Sequence, residues 1–590
     1  MMQECDLVMK GGITSGVVYP SVLSELSEHY RFRNIGGTSA GAIGAVFAAA
    51  AEYRRQTGGG KAGFAEVKKL ADDLASNMAK LFQPVPTMRA PFALMMAKLD
   101  GKSIALTLAK IFWLQVLFAL AIVAAGVFAS RHWDNGWIAS TAVLLAVMVL
   151  GLRAAWLTKV NFLGALPKHD FGLCTGKRQP GHSHPGFTDW IVDGITRISD
   201  KEEGYLTVGD LEAEGIDIKV AAITTDLSSG RPYTLPMRTG IHYFRKSEFE
   251  RLFGKDIVAQ MCLGKKALEF EDENGAPDDL YQLPFGPDFP VFLIARMSLS
   301  FPGLISAVPL WRFDYQLRKK GQERAPIRRC LFTDGGVSSN FPIHFFDALL
   351  PQRPTFGICL EVYDEERHHK TGSDEDRLQM HTKGTSTTNL AVRDIGSLGA
   401  FASGIVNVAK DWQDTMQSML PGYADRIVTI RLSEKEGGMN LNMDKKTIAR
   451  LDDLGALAGR KLCERFSYKD KKPPLEDKKI STDFDQHRYN RAISLLPALE
   501  NSLEEFHAAL DAVPAGTKNT YSGREVLADF PTVHYKATDK WRKGPFLAMA
   551  EGLAVLGASD GTEKLSEFEN KPSIDASIRL AAQSDRVPRD

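Results

Sequence analysis

Two uninterrupted apolar runs constrain this chain more than any other feature in it. "IFWLQVLFALAIVAAGVFAS", Ile111 to Ser130, holds twenty residues without a charge, and "NGWIASTAVLLAVMVLGL", Asn135 to Leu152, holds eighteen more. An α-helix rises ~1.5 Å per residue, so about twenty residues cross the ~30 Å hydrocarbon layer of a bilayer. Joined by "RHWD", the runs predict a membrane hairpin with helices over about 108–130 and 135–157. Trp113, Trp133, Trp137 and Trp156 fall where indoles favour headgroup depth. Lys98, Lys102 and Lys110 precede the pair, Arg153, Lys159 and Lys168 follow it, and only Arg131, beside His132, lies between. That asymmetry predicts a multi-pass membrane protein with two helices and the bulk of the chain on the cytoplasmic side. The alternative is a buried helical hairpin in a soluble core, which the shorter second run also allows.

Outside the hairpin the composition is that of a globular protein. Of 590 residues, 44% are hydrophobic and 24% charged, enough for several domains with sizeable cores. Lys plus Arg balances Asp plus Glu at 72 each, so no global field favours nucleic acid, and none is expected as a partner. The six cysteines, Cys5, Cys174, Cys262, Cys330, Cys359 and Cys463, form no CxxC pair. This spacing argues against a zinc site or a disulfide framework and fits a reducing compartment. "MMQECDLVMKGG" carries Glu4 and Asp6 and no long apolar region, so no secretory signal is read there. His182 with His184, and His368 with His369, lack ligands at metal spacing and read as exposed loop residues.

From residue 5 to 52 the pattern alternates strand, turn and helix in the α/β manner. "DLVMK" and "RFRNI" read as strands, "GVVYPSVLSELSEHY" as an amphipathic helix, and "GGTSAGAIGAVFAAAAEYRRQ" as a turn into a buried one. "TGGGKAG", Thr57 to Gly63, reads as a flexible linker.

Chemistry concentrates at two turns. "GTSAG" is a GxSxG around Ser39, preceded by a strand and followed by an apolar helix, the context a nucleophile elbow needs. A second GxSxG, "GASDG" around Ser559, lacks that context and serves as a control. Gly37 and Gly41 flank Ser39 because the turn is too tight for side chains, and the helix aims its first amides at developing negative charge. The loop at Gly11, Gly12 and Ile13 ends the neighbouring strand, so its N–H groups predict an oxyanion hole; no GxxxxGK[ST] or GxGxxG supports a phosphate site instead. For the base, a histidine such as His344 or His381 would complete a triad, and a carboxylate acting directly would complete a dyad. "LFTDGGVSSNFP" places Asp334 at a strand end before Gly335 and Gly336; the plain reading of Asp-Gly is a β-turn.

Taken together, "GGITSG", "GTSAG" and "DGG" followed by Asn340 and Pro342 resemble the patatin-like phospholipase family. "AITTDLSSGRPYTL" and "ARMSLSFPGLISAVPL" resemble its intervening segments, and the likeness covers about residues 5–55 and 185–360. The resemblance implies an α/β fold with a patatin-like three-layer αβα core and a mainly parallel central sheet, to which the residue pattern adds the inserted hydrophobic hairpin and a mainly helical C-terminal region. Together they predict a layout of core (1–60), insertion (61–170), remainder of the core (171–435) and helical C-terminal region (436–590) with a charged linker near 467–483. It further implies Ser39 as nucleophile, Asp334 as base, Gly11, Gly12 and Ile13 as oxyanion loop, and no metal or cofactor. The implied substrates are acyl esters of membrane lipids, with the bilayer as partner. The loop departs from the family's usual GGGxRG or GGGxKG: Ile13 stands at the third glycine and Ser15 at the cation, with Lys10 the nearest replacement. A carboxylate base working at neutral pH calls for partial desolvation of Asp334. The competing functions are an inactive membrane scaffold and a Ser–His–Asp esterase acting on small esters.

Overall fold

The computed structural model describes residues 2–12, 15–157, 159, 164–271, 277–318, 325–369, 371–381, 392, 394–420, 422–433, 436–437, 440–466, 483–513, 521–529 and 547–558. The charged linker, Ile13 and Ser559 lie outside them.

β1 (Gln3–Met9), β2 (Tyr30–Gly37) and β4 (Lys219–Asp226) form the middle of a mixed, 12-stranded sheet, with β3 (Gly172–Cys174) pairing elsewhere. The remaining strands are β5 (Arg231–Leu235), β6 (Tyr243–Arg245), β7 (Leu268–Glu271), β8 (Pro277–Gln282), β9 (Gly303–Ile305), β10 (Val308–Phe313), β11 (Ile327–Asp334), β12 (Thr355–Val362), β13 (Leu378–Met380) and β14 (Ile427–Leu432). The central run β14-β12-β1-β2-β4 is parallel throughout, and its strands are buried on both faces as parallel strands must be. Antiparallel strands β11, β10, β6, β8 and β7 extend one side, and β13 closes the other.

Helices cover one face. α1 (Tyr19–His29) starts with Pro20 in its first turn and buries Val22, Leu23 and Leu26. α2 (Ala40–Arg54) is alanine- and glycine-rich on all sides, so it can sit buried all round against the sheet. α3 (Ala62–Leu81) and the helix Lys445–Phe466 join the same core through Val67, Leu70, Met78, Leu451, Leu454 and Leu462. Hence the core continues past residue 60 to Met88, and again past 435, where the sequence reading had placed its boundaries. Between α2 and α3, Arg55–Gly59 forms a π-helical turn broken at Gly58 (φ 103°), so the glycines make a tight exposed connection between the two helices. The opposite face of the sheet is covered by Phe341, Ile343 and Phe345 of the β11–β12 connection. The helix Leu398–Ser418 reaches that layer through Asp414, which accepts from Phe341 N–H at 2.8 Å.

α4 (Arg89–Leu99) and α5 (Ile104–Ile111) lead out of the core to α6 (Trp113–His132) and α7 (Gly136–Leu157). Both are long and apolar enough to cross a bilayer, with mean hydropathies of 2.1 and 2.0. The chain leaves helical geometry at Phe112 (φ −105°, ψ 19°), so the first span begins there and not at 108. α6 and α7 pack closely on each other, since a Cβ on Gly126 would lie 2.2 Å from that of Ala142. Their other faces are bare: Phe118, Phe128 and Leu144 are each more than half exposed. The hairpin is therefore not the buried helical pair of a soluble core.

Candidate active site

β2 and β11 flank β4 on opposite sides, with Gly37 opposite Ala222 and Asp334 opposite Thr224. Strand spacing of about 4.8 Å puts the two strand ends roughly 10 Å apart, a gap that two short side chains close from either side. Ser39 follows β2 directly and caps α2 in a left-handed conformation (φ 55°, ψ −123°), which costs a non-glycine residue about 1–3 kcal/mol. The surroundings hold it there. Ser39 N–H donates to Ser298 Oγ at 3.0 Å, whose hydroxyl donates on to Ile223 O at 2.7 Å. A Cβ on Gly37 would lie 2.4 Å from the Gly41 carbonyl carbon, and one on Gly41 2.3 Å from Met9 O, so both glycines are required by close backbone approach.

Asp334 is held as firmly. Its N–H donates to Ser300 O at 3.1 Å, its carbonyl accepts from Thr225 Oγ1 at 3.0 Å, and Gly336 N–H donates to its Oδ1 at 2.7 Å. A Cβ on Gly335 would strike Ile223 O at 2.0 Å, so this turn too needs glycine. Oδ2 is buried and makes no full hydrogen bond, while the Ser39 hydroxyl lies close enough to favour the ionised carboxylate. Burial pushes the Asp334 pKa up from 3.8 to about 6, against the opposing pull of Gly336 N–H, the Ser39 hydroxyl and the more distant charge of Lys410. A desolvated carboxylate with a spare oxygen beside a serine hydroxyl can accept its proton.

Among the expected oxyanion donors, the amide of Gly11 is already used. It donates to Asn340 O at 2.7 Å, so in this conformation it does not face Ser39. Gly11 serves by lacking a side chain, since a Cβ there would lie 2.2 Å from Asn340 Oδ1 and 3.2 Å from Ser39 Cβ. Gly12 N–H and Ala40 N–H find no acceptor among the described residues, and Ala40 opens the first turn of α2, where amides go unpaired. Lys10 turns its Nζ to Cys359 Sγ at 3.8 Å and so does not replace the cation missing at Ser15. No histidine hydrogen-bonds Ser39 among the described residues. His381 lies against Gln379 at 3.4 Å, and His344 interacts with Gln417 and Asp414.

Two supports carry no signal in the sequence pattern. Arg296, fully buried in the helix Val291–Ser298, donates to Ser300 Oγ (2.6 Å), Ser306 O (2.8 Å), Thr175 O (3.1 Å) and Thr188 Oγ1 (3.1 Å). It thereby fixes the Ser298–Ser300 segment that holds both Ser39 and Asp334. Burial pushes its pKa down to about 9, with Asp170 opposing. Asp414, on the helix Leu398–Ser418, accepts from Asn340 N–H (2.7 Å), Phe341 N–H (2.8 Å) and Ser339 Oγ (2.9 Å), pinning the loop after Asp334.

No family model matches the chain. It is 36% identical over 539 residues to the RpoH suppressor of Rhizobium meliloti (strain 1021), a match covering 79% of this chain and 83% of that protein. Among solved structures, VipD from Legionella pneumophila aligns with 93% of this chain and 83% of its own, at a TM-score of 0.31 and 14% identity.

Proposed function

The chain belongs to the family of the rhizobial RpoH suppressor, and for this member we propose a membrane-associated serine acyl hydrolase of the patatin-like kind, cleaving lipid acyl esters with a Ser39–Asp334 dyad. One observation carries the reading: a serine in a strained strand-to-helix turn stands beside a buried carboxylate whose second oxygen is unpaired. In the first step Asp334 Oδ2 takes the Ser39 proton as Oγ attacks the ester carbonyl. The amides of Ala40 and Gly12 and the dipole of α2 stabilise the oxyanion. Collapse expels the alcohol, which receives the proton from Asp334, and leaves an acyl-serine. Water then attacks this ester, giving its proton to Asp334, and the departing Ser39 oxygen recovers it with release of the acid. The apolar hairpin moors the enzyme at its substrate, with the basic flanks of α6 and α7 keeping the core on the cytoplasmic side.

A serine-directed fluorophosphonate should label the wild type in detergent and fail on Ser39→Ala of unchanged melting temperature. A folded wild type that resists the probe would leave the scaffold reading. The esterase triad predicts a histidine on Ser39, and neither His344 nor His381 is there.

The pH dependence follows from Asp334. The base must be ionised, so kcat/KM should climb tenfold per pH unit below about 6 and level off above it. A midpoint near 4, or a second limb lost with His344→Gln, would contradict the dyad.

A further inference from the structure

The helix Leu398–Ser418 has one side tied to the site and the other exposed. Asp414 accepts from Ser339 Oγ, Asn340 N–H and Phe341 N–H, Gln417 interacts with His344, and the charge of Lys410 bears on Asp334. Opposite them Leu398, Phe401, Ile405, Val408, Trp412 and Met416 are each more than half exposed. They recur at three- and four-residue steps, so they form a single stripe about 27 Å long. We propose that this stripe docks on a lipid bilayer, its side chains dipping into the boundary between headgroups and acyl chains. A helix with its side chains is ~10–12 Å across, so docking brings the loop after Asp334 within about that distance of the lipid surface. This rests on the reading of α6 and α7 as membrane-spanning, and it gives the hydrolase reading its route to lipid.

The composition of the helix favours lipid over a protein as the occupant. From Ile395 to Ala409 there are fifteen residues without a charge, and the side away from the stripe is Gly399, Ala400, Ser403, Gly404 and Asn407. With no cation on that polar side, apolar insertion is the driving force for this half of the helix, and attraction to anionic lipid adds nothing. Protein interfaces keep a polar rim, whereas this stripe is flanked by exposed Ala402, Val406 and Ala409. Trp412 lies towards the tethered end, and indoles favour headgroup depth. The helix is too polar to cross a bilayer itself: among the described residues only α6 and α7 are long and apolar enough. A bilayer is also within reach. Leu166, packed against the core, follows Leu157 at the end of α7 by nine positions, at most about 32 Å of chain. Before the hairpin, Asp100 Oδ1 accepts from Asn442 Nδ2 at 2.9 Å, so the core stays close on that side too.

The test uses the full chain, one copy per nanodisc of palmitoyl-oleoyl phosphatidylcholine, with or without lipid brominated on its acyl chains. The share of emission removed by Trp412→Phe reports Trp412 alone. Bromine should cut that share at least about twofold, and aqueous iodide should leave it unchanged. Phosphatidylglycerol or added salt should not alter the quenching, because the stripe carries no cation. Ile405→Asp, at an exposed position, should return Trp412 to iodide. It should also slow hydrolysis of the disc phospholipid at least about tenfold while p-nitrophenyl butyrate turnover stays as in wild type. Ile405→Leu should restore both. A Trp412 open to iodide and blind to bromine would overturn the docking and leave the dyad intact. So would quenching that needs phosphatidylglycerol, or protection that appears only in discs holding two copies, which is a contact between chains. A chain that does not stay in the discs would remove the membrane-spanning hairpin and the docking with it. Bromine quenching sensitive to residue 405, with no ester turnover in wild type, would leave the docked helix standing and remove the hydrolase.

Discussion

Replacing Asp334 by asparagine is expected to abolish turnover and, at neutral pH, to make the protein more stable. The asparagine keeps an oxygen for Gly336 N–H but cannot accept the Ser39 proton, so kcat should fall about 10²–10⁴-fold and fluorophosphonate labelling with it. The stability change has the opposite sign because the carboxylate is buried. Its pKa rises from 3.8 to about 6 on folding, so between those values the folded state holds a proton that the unfolded chain has released. Stability from this group is therefore full at low pH and is lost as pH rises through that window, amounting to roughly 3 kcal/mol by pH 7. Asp334→Asn escapes that loss. Melting curves should show the variant above wild type at pH 8 and the gap closing towards pH 4. A variant less stable than wild type at pH 8 would mean that the carboxylate is held by partners and is not poised as a base.

Arg296→Met should be the most damaging single change away from the dyad. The guanidinium is fully buried and serves four oxygens from three separate stretches of chain. Removing it strands Thr175 O and Ser306 O without donors, and changes of this kind cost about 3–5 kcal/mol. Ser298 and Ser300 then lose their anchor, so labelling of Ser39 should slow even at temperatures where the variant remains folded. Lysine should rescue little, because one ammonium cannot span the four acceptors. A melting temperature equal to wild type would show that Arg296 is not the support of this segment.

What the sequence disclosed and what it hid follow from the range of the interactions. Ser39 and Asp334 were readable because each sits in a turn whose glycines are demanded locally, by contacts within a few residues or with the adjacent strand. The hairpin was readable because a charge-free run needs no partner to announce itself. Three successive glycines predict a linker and hide α3, although its stripe of Val67, Ala71, Leu74 and Met78 is a periodic apolar face turned to the core. Arg296 and Asp414 were out of reach. A lone arginine or aspartate on a helix normally points to solvent, and only acceptors or donors far along the chain make burial tolerable. Gly11 was misjudged for a related reason: the carbonyl that occupies its amide belongs to Asn340, over three hundred residues away.

The order of strands across the sheet has a consequence for biosynthesis. β1 waits for β12, β2 waits for β4, and the carboxylate arrives with β11, whereas the hairpin is translated before any of these partners exists. A nascent chain therefore carries Ser39 and both apolar helices long before Asp334 is made, so the two side chains meet only once the late-made strands have joined the early ones.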